Sequence, residues 1–165
     1  MKNNSTKRLC RAGVIAALYV VLTYAFSSFA FGPFQVRPAE ALCLLPLFLP
    51  EAIPALFVGC ALSNILSAYS VYDIVFGSLA TLIGAYVGSK MKNKWLVPVP
   101  TVVANTVIVP VVILVCYTAT DAWSFGTYAL TALGVFAGEV LSAYVLSMLL
   151  LLAMSKHKTF NSIKK

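Results

Sequence analysis

Long uncharged runs divide the chain into six apolar segments separated by short polar breaks. Residues 12–30 predict a first helix, which Gly32-Pro33 breaks and a loop, FQVRP, follows. The next run, 41–50, lies between Glu40 and Glu51, with prolines at 38, 46, 50 and 54. Residues 52–72, 74–89, 96–117 and 125–155 complete the series, the last interrupted by Glu139 alone. A membrane-spanning helix needs about 20 apolar residues. Most of these runs read as spans, and the short second one needs a separate argument.

The basic residues supply it. Lys2, Lys7, Arg8 and Arg11 form one cluster, Lys90, Lys92 and Lys94 a second, and Lys156, Lys158, Lys164 and Lys165 a third; only Arg37 stands apart. Loops rich in Lys and Arg stay on the cytoplasmic side. Keeping the first two clusters on one side requires an even number of crossings between them, so the second run must also cross. A short, Pro-containing helix from about residue 38 to 50 spans only ~20 Å at ~1.5 Å per residue, and neighbouring helices must shield its ends. The expected fold is an all-α integral membrane protein with six transmembrane helices and both termini cytoplasmic. It forms a single membrane domain over residues 1–165, with basic tails at about 1–8 and 156–165.

Composition agrees. The chain is 61% hydrophobic and 10% charged, against about 45–50% and about 25% in soluble domains, which excludes a soluble globule and a disordered chain. The net charge of +7 therefore reads as topology signals near anionic headgroups, not as a nucleic-acid surface. The basic start, apolar run and Ser28-Phe29-Ala30 resemble a secretory signal, but the uncharged stretch 12–36 exceeds the usual apolar core of about 7–15 residues. The first span is expected to be retained. Cys10, Cys43, Cys60 and Cys116 show no metal-ligand spacing and read as small packing residues. His157 lies in the basic tail. No phosphate-cradling Gly-rich loop is present, so neither a cofactor, a metal nor ATP hydrolysis is expected on this chain.

Polar residues inside apolar segments carry the chemistry, because an ionisable group in lipid is costly and faces a partner or a cavity. Glu139 is the clearest case, with Val135, Phe136, Ser142 and Ala143 beside it at helical spacing. Asn105 and Asn64 are interior to the fifth and third segments, where amides also serve as inter-helix links. Arg37 and Glu40 are three residues apart and can pair with one another. Asp73 can cap the fourth helix. Tyr69, Tyr72 and Trp123 fall where aromatic belts form, and Asp121 reads as a solvated loop acid. Ala12 and Ala16, with Gly13 and Ala17 beside them, make one small-residue patch; Gly77, Thr81, Gly84 and Gly88 make another. Such patches let helices approach closely.

The stretch QVRPAEALCLLPLFLPEAIPALFVGCALSNILS, followed by VYDIVFGSLATLIGAYVG, VVANTVIVP and GEV, resembles the QueT family. These are substrate-binding (S) components of energy-coupling factor transporters, linked to uptake of queuosine precursors. The resemblance runs from about residue 8 to 153, with Pro38 where the family often carries Ser. It implies a multi-pass protein of the cell membrane with a substrate site in its outer half. It also implies an alanine-rich face on the first helix, Ala12 and Ala16, that meets a membrane coupling subunit driven by two ATPase subunits. The implied ligand is a 7-deazaguanine base, such as the 7-aminomethyl form or queuine. A carboxylate accepts two bonds from its N–H edge, an amide donates to its carbonyl, a second acid faces an aminomethyl cation, and aromatic rings cover its faces. The implied contacts are Glu139 on the edge, Asn105 on the carbonyl, Glu40 or Asp73 on the amine, with Asn64, Tyr72 and Trp123 completing the site.

Two other readings stay open on the residues alone: an S component for another vitamin-like compound, and a self-sufficient carrier with Glu139 as a proton relay. An intramembrane enzyme is disfavoured, because clustered metal ligands or a nucleophile with its base are lacking.

Overall fold

A computed structural model describes residues 2–30, 35–66, 70–118 and 123–155. Among these the chain is helical, with no strand. Helix α1 is Lys2–Ala25, extended by a further turn, Ser27–Ala30; α2 is Pro38–Leu47; α3 is Ala52–Leu66. Helix α4 is Asp73–Ser89, α5 is Val99–Tyr117 and α6 is Phe125–Ser155. The six expected segments are all present. Within the stretch expected as an N-terminal tail, residues 2–8 belong to α1, and residues 4–8 are exposed. His157 and the C-terminal lysines lie outside the described residues.

Among the described residues, three helices are long and apolar enough to cross a membrane, Asn4–Ala25, Val99–Tyr117 and Phe125–Ser155, with three shorter apolar ones between them. The shortest is not an α-helix. Pro38–Leu47 is wound as a 3₁₀-helix, whose rise of about 2.0 Å per residue carries ten residues across about 20 Å. Pro38 occupies its first turn, where a missing N–H costs nothing. Pro46 lies inside it, and beyond it the Phe48 and Leu49 amides both return to the Leu45 carbonyl at 2.9 Å. Two other helices leave α geometry at a single turn. The first turn of α4, Asp73–Gly77, is π-helical, as is Val140–Val145 within α6, immediately after Glu139.

The polarity of the bundle is inverted relative to a soluble protein. Val14, Val21, Val107, Val111 and Leu133 face outward, whereas Glu40, Asn64, Thr81, Thr101, Asn105, Glu139 and Ser142 are buried. Helix α2 is central and packs on α1, α3, α4 and α6. An apolar cluster of Ile15, Tyr19, Leu42, Leu56 and Ala85 joins α1 to α4 around it; a second, of Leu44, Val97, Met148 and Leu151, joins it to α6. Glycine sets the closest approaches. A Cβ on Gly59 would stand 2.8 Å from the Tyr19 Cβ, and one on Gly84 would stand 2.6 Å from the Thr101 Cα. Gly84 and Gly88 are therefore internal contacts, Gly84 on Thr101 of α5 and Gly88 on the Val97 carbonyl just before α5. At the start of α6, the Ser124 hydroxyl accepts the Thr127 amide at 3.1 Å, a side-chain N-cap.

Candidate ligand site

The buried polar side chains converge on α2. Glu40 is fully buried and its carboxylate receives three donors from three helices. The Tyr19 hydroxyl of α1 donates to Oε1, the Thr81 hydroxyl of α4 reaches the same oxygen at 3.2 Å, and the Cys43 thiol reaches Oε2 at 3.0 Å. Thr81 also lies 3.5 Å from the Cys60 sulfur of α3, and Cys43 interacts with Thr101 of α5. Glu139 of α6 stands within electrostatic reach of Glu40 and Arg37, with Asn105 beside it. Each of the six helices thus contributes a polar side chain to one centre. The cluster carries two carboxylates and one guanidinium, Arg37, which is 4% exposed and interacts with both acids.

The hydrogen-bond inventory divides this centre in two. Around Glu40 the polar atoms are satisfied. Elsewhere they are not: Glu139 Oε2, both amide atoms of Asn105 beside it, the Ser142 hydroxyl three residues on, the Asn64 Oδ1 and the hydroxyls of Thr101 and Thr106 are buried with no hydrogen bond at normal geometry. Buried polar groups are nearly always paired, and an unpaired one costs about 1–3 kcal/mol. Several on facing helices are what a polar ligand would satisfy. The π turn after Glu139 lies against α2 and α5 and holds Ser142 and Ala143 in the interior; such turns frequently mark functional sites.

Asp73 anchors the opposite end of the polar set. Its carboxylate accepts the Tyr117 hydroxyl, whose oxygen in turn accepts the Ser70 amide at 3.2 Å. The Asn64 amide donates to the Asp73 carbonyl at 3.0 Å, tying α3 to the π turn of α4. Asp73 therefore does not cap α4, because its oxygen is committed across to α5.

Of the residues expected from sequence, Arg37, Glu40, Asn105 and Glu139 are brought together, and Asn64 and Asp73 form an adjoining pair. Tyr72 and Trp123, expected as stacking platforms, stand about half exposed: Tyr72 lies parallel to Phe76 with centroids 6.4 Å apart, and the Trp123 indole N–H reaches the Thr118 carbonyl at 3.4 Å. Both positions suit an aromatic belt. Tyr69 and Asp121 lie outside the described residues. Ala12 and Ala16 are partly buried against the α1–α3 core, while Gly13 and Ala17 are exposed. Gly59 explains the rotation, because its approach to Tyr19 and the Ala16 carbonyl turns the Ala12 and Ala16 side of α1 inward. Tyr19 and Gln35 were not singled out by the sequence pattern. Tyr19 lies mid-segment, well away from belt level, which was the available signal. Gln35 is buried with an unpaired amide oxygen, and its φ of 48° is one that non-glycine residues seldom adopt.

Apolar helices closed around a shared polar centre define a multi-pass membrane protein. A family model for the QueT transporter matches residues 9–156, and the chain belongs to that family. It is similar to the queuosine precursor transporter QueT of Lactococcus lactis subsp. cremoris (strain MG1363), at 36% identity over 97 residues. That match covers 58% of this chain and 57% of the relative, so it spans a little over half the relative's length. No solved structure matches the chain.

Proposed function

We propose that this chain is the substrate-capturing (S) subunit of an energy-coupling factor importer in the cell membrane, binding a queuosine precursor of the 7-deazaguanine type. The observation that carries the reading is the set of unpaired buried polar atoms on Glu139, Asn105, Asn64 and Ser142, within a chain of the QueT transporter family. A 7-deazaguanine offers adjacent N–H donors for the Glu139 oxygen and a carbonyl for the Asn105 amide. Glu40 has both oxygens engaged, whereas Tyr117 engages only Oδ2 of Asp73, so Asp73, beside Asn64, is the acid assigned to an aminomethyl cation. Tyr72 and Trp123 anchor the bundle at the membrane interface.

The basic clusters put both termini in the cytoplasm, with the ligand entering from the other side. Energy comes from elsewhere: a membrane coupling subunit and two ATPase subunits drive uptake, and this chain catalyses no reaction. The coupling subunit contacts α1 along the small residues from Ala12 to Ala17, where Gly13 and Ala17 are already exposed.

Two measurements test this. Mass spectrometry of the purified protein should find a co-purifying 7-deazaguanine; a thiamine- or riboflavin-like mass would redirect the substrate. Vesicles holding this chain alone should not accumulate 7-aminomethyl-7-deazaguanine until coupling and ATPase subunits and ATP are added. Proton-driven uptake by the chain alone would establish a self-sufficient carrier instead.

A further inference from the structure

Glu40 and Glu139 share one centre but differ in how their oxygens are used. A carboxylate offers about four acceptor positions. Three on Glu40 are taken by Tyr19, Thr81 and Cys43, whereas Oε2 of Glu139 has none taken. Arg37 interacts with both acids. Both acids are within electrostatic reach of the guanidinium, so a Glu40 carboxylate held in place offers it a counter-charge other than Glu139.

The donor best placed to hold it is Tyr19. Its ring is 1% exposed, wedged where α3 passes closest to α1 at Gly59. Its carbonyl is occupied by the Thr23 hydroxyl at 2.9 Å. The hydroxyl therefore points from a fixed support, and a hydrogen bond to a charged acceptor is stronger than a neutral one.

We propose that Tyr19 is a positioning residue for the ligand site: its hydroxyl holds the Glu40 carboxylate as a fixed counter-charge for Arg37, leaving Glu139 to receive the ligand. This rests on the reading of Glu139 as the ligand-binding acid. Tyr19 touches no ligand itself; it acts through Glu40.

The test is calorimetric titration of 7-aminomethyl-7-deazaguanine into the purified full-length protein and its Y19F, E40Q, Y19F/E40Q, T81V and E139Q variants, with melting of each ligand-free protein alongside. Tyr19→Phe keeps the buried ring and removes only the hydroxyl. It should weaken binding about tenfold, the scale of one charge-assisted hydrogen bond. Thr81→Val removes the other donor on the same oxygen and should weaken binding about threefold. The double variant should bind no more weakly than E40Q, because removing the hydroxyl matters only while the carboxylate is there to be held. A purely structural tyrosine would lower the melting temperature with unchanged affinity, or its loss would multiply with that of E40Q; either result overturns the proposal. Should Y19F not fold, the T81V affinity and its non-additivity with E40Q, read from an added T81V/E40Q variant, decide the matter. If E139Q abolishes binding while Y19F and T81V leave it intact, the positioning role fails and the site reading stands. If E139Q binds as the parent does, the site reading itself fails.

Discussion

Replacing Glu139 by Gln is the sharpest perturbation of the site. The side chain is 2% exposed and its Oε2 has no partner, so the substitution keeps the shape and removes the charge. Where two ligand N–H groups would meet a carboxylate, one now meets an amide NH₂. The lost charge-assisted hydrogen bond is worth about 1.5–3 kcal/mol, and each ~1.4 kcal/mol is a factor of ten in affinity. Binding of 7-aminomethyl-7-deazaguanine should therefore weaken by about 10- to 150-fold. The ligand-free protein should fold at least as well as the parent, because a buried charge has been removed without opening a cavity. Calorimetry on the detergent-purified proteins gives the affinity directly. Thermal unfolding gives an independent check, since ligand at 100 times its Kd should stabilise the parent by about 2.7 kcal/mol and E139Q far less. An affinity for E139Q within twofold of the parent would remove Glu139 from the site.

Gly84→Ala should destabilise the protein by about 1–3 kcal/mol, because the new Cβ would stand 2.5 Å from the Thr101 hydroxyl. Gly13→Ala, with nothing within 4 Å of its added Cβ, should raise the melting temperature slightly, because alanine is the better helix former by up to about 1 kcal/mol. Tyr117→Phe unties the Ser70 amide and the Asp73 carboxylate together. Amide exchange at Ser70 should quicken, with α6 unaffected. Glu51→Gln breaks the Arg11–Glu51 pair at 3.5 Å. Arg11 is 54% exposed there, so unfolding measurements should register a change below about 1 kcal/mol.

The segment count was legible because hydrophobic runs and basic clusters report on the whole chain at once. The finer geometry was legible only where a residue's role is set locally. Ser124 before Phe125 and Pro38 at the head of α2 are examples, each marking a helix start by its own chemistry. Which side of α1 faces inward was not legible. Positions 12, 13, 16 and 17 are all small, and the choice among them is made by Gly59, more than forty residues away. Tyr19 carries no local signal for the same reason, since its partner Glu40 arrives from another helix. The pairing of Asp73 with Tyr117 likewise overrode the local cap reading. Glu139 and Asn105 stood out because a polar group amid apolar neighbours is conspicuous without knowledge of what it meets.

The winding of α2 bears on how this family can vary. At three residues per turn, Glu40, Cys43 and Pro46 stack in one straight column, and the Cys43 thiol meets Glu40 because of it. In an α-helix, steps of three would drift by about 60° each and the column would fan out. Gaining or losing one residue within α2 would turn everything beyond it by about a third of a circle, presenting leucines where the thiol now stands. Side chains on the other two columns can be exchanged for similar apolar ones at modest cost. Length can change only in threes, so relatives that keep this centre should show no single-residue gap between the arginine and the last proline of the segment.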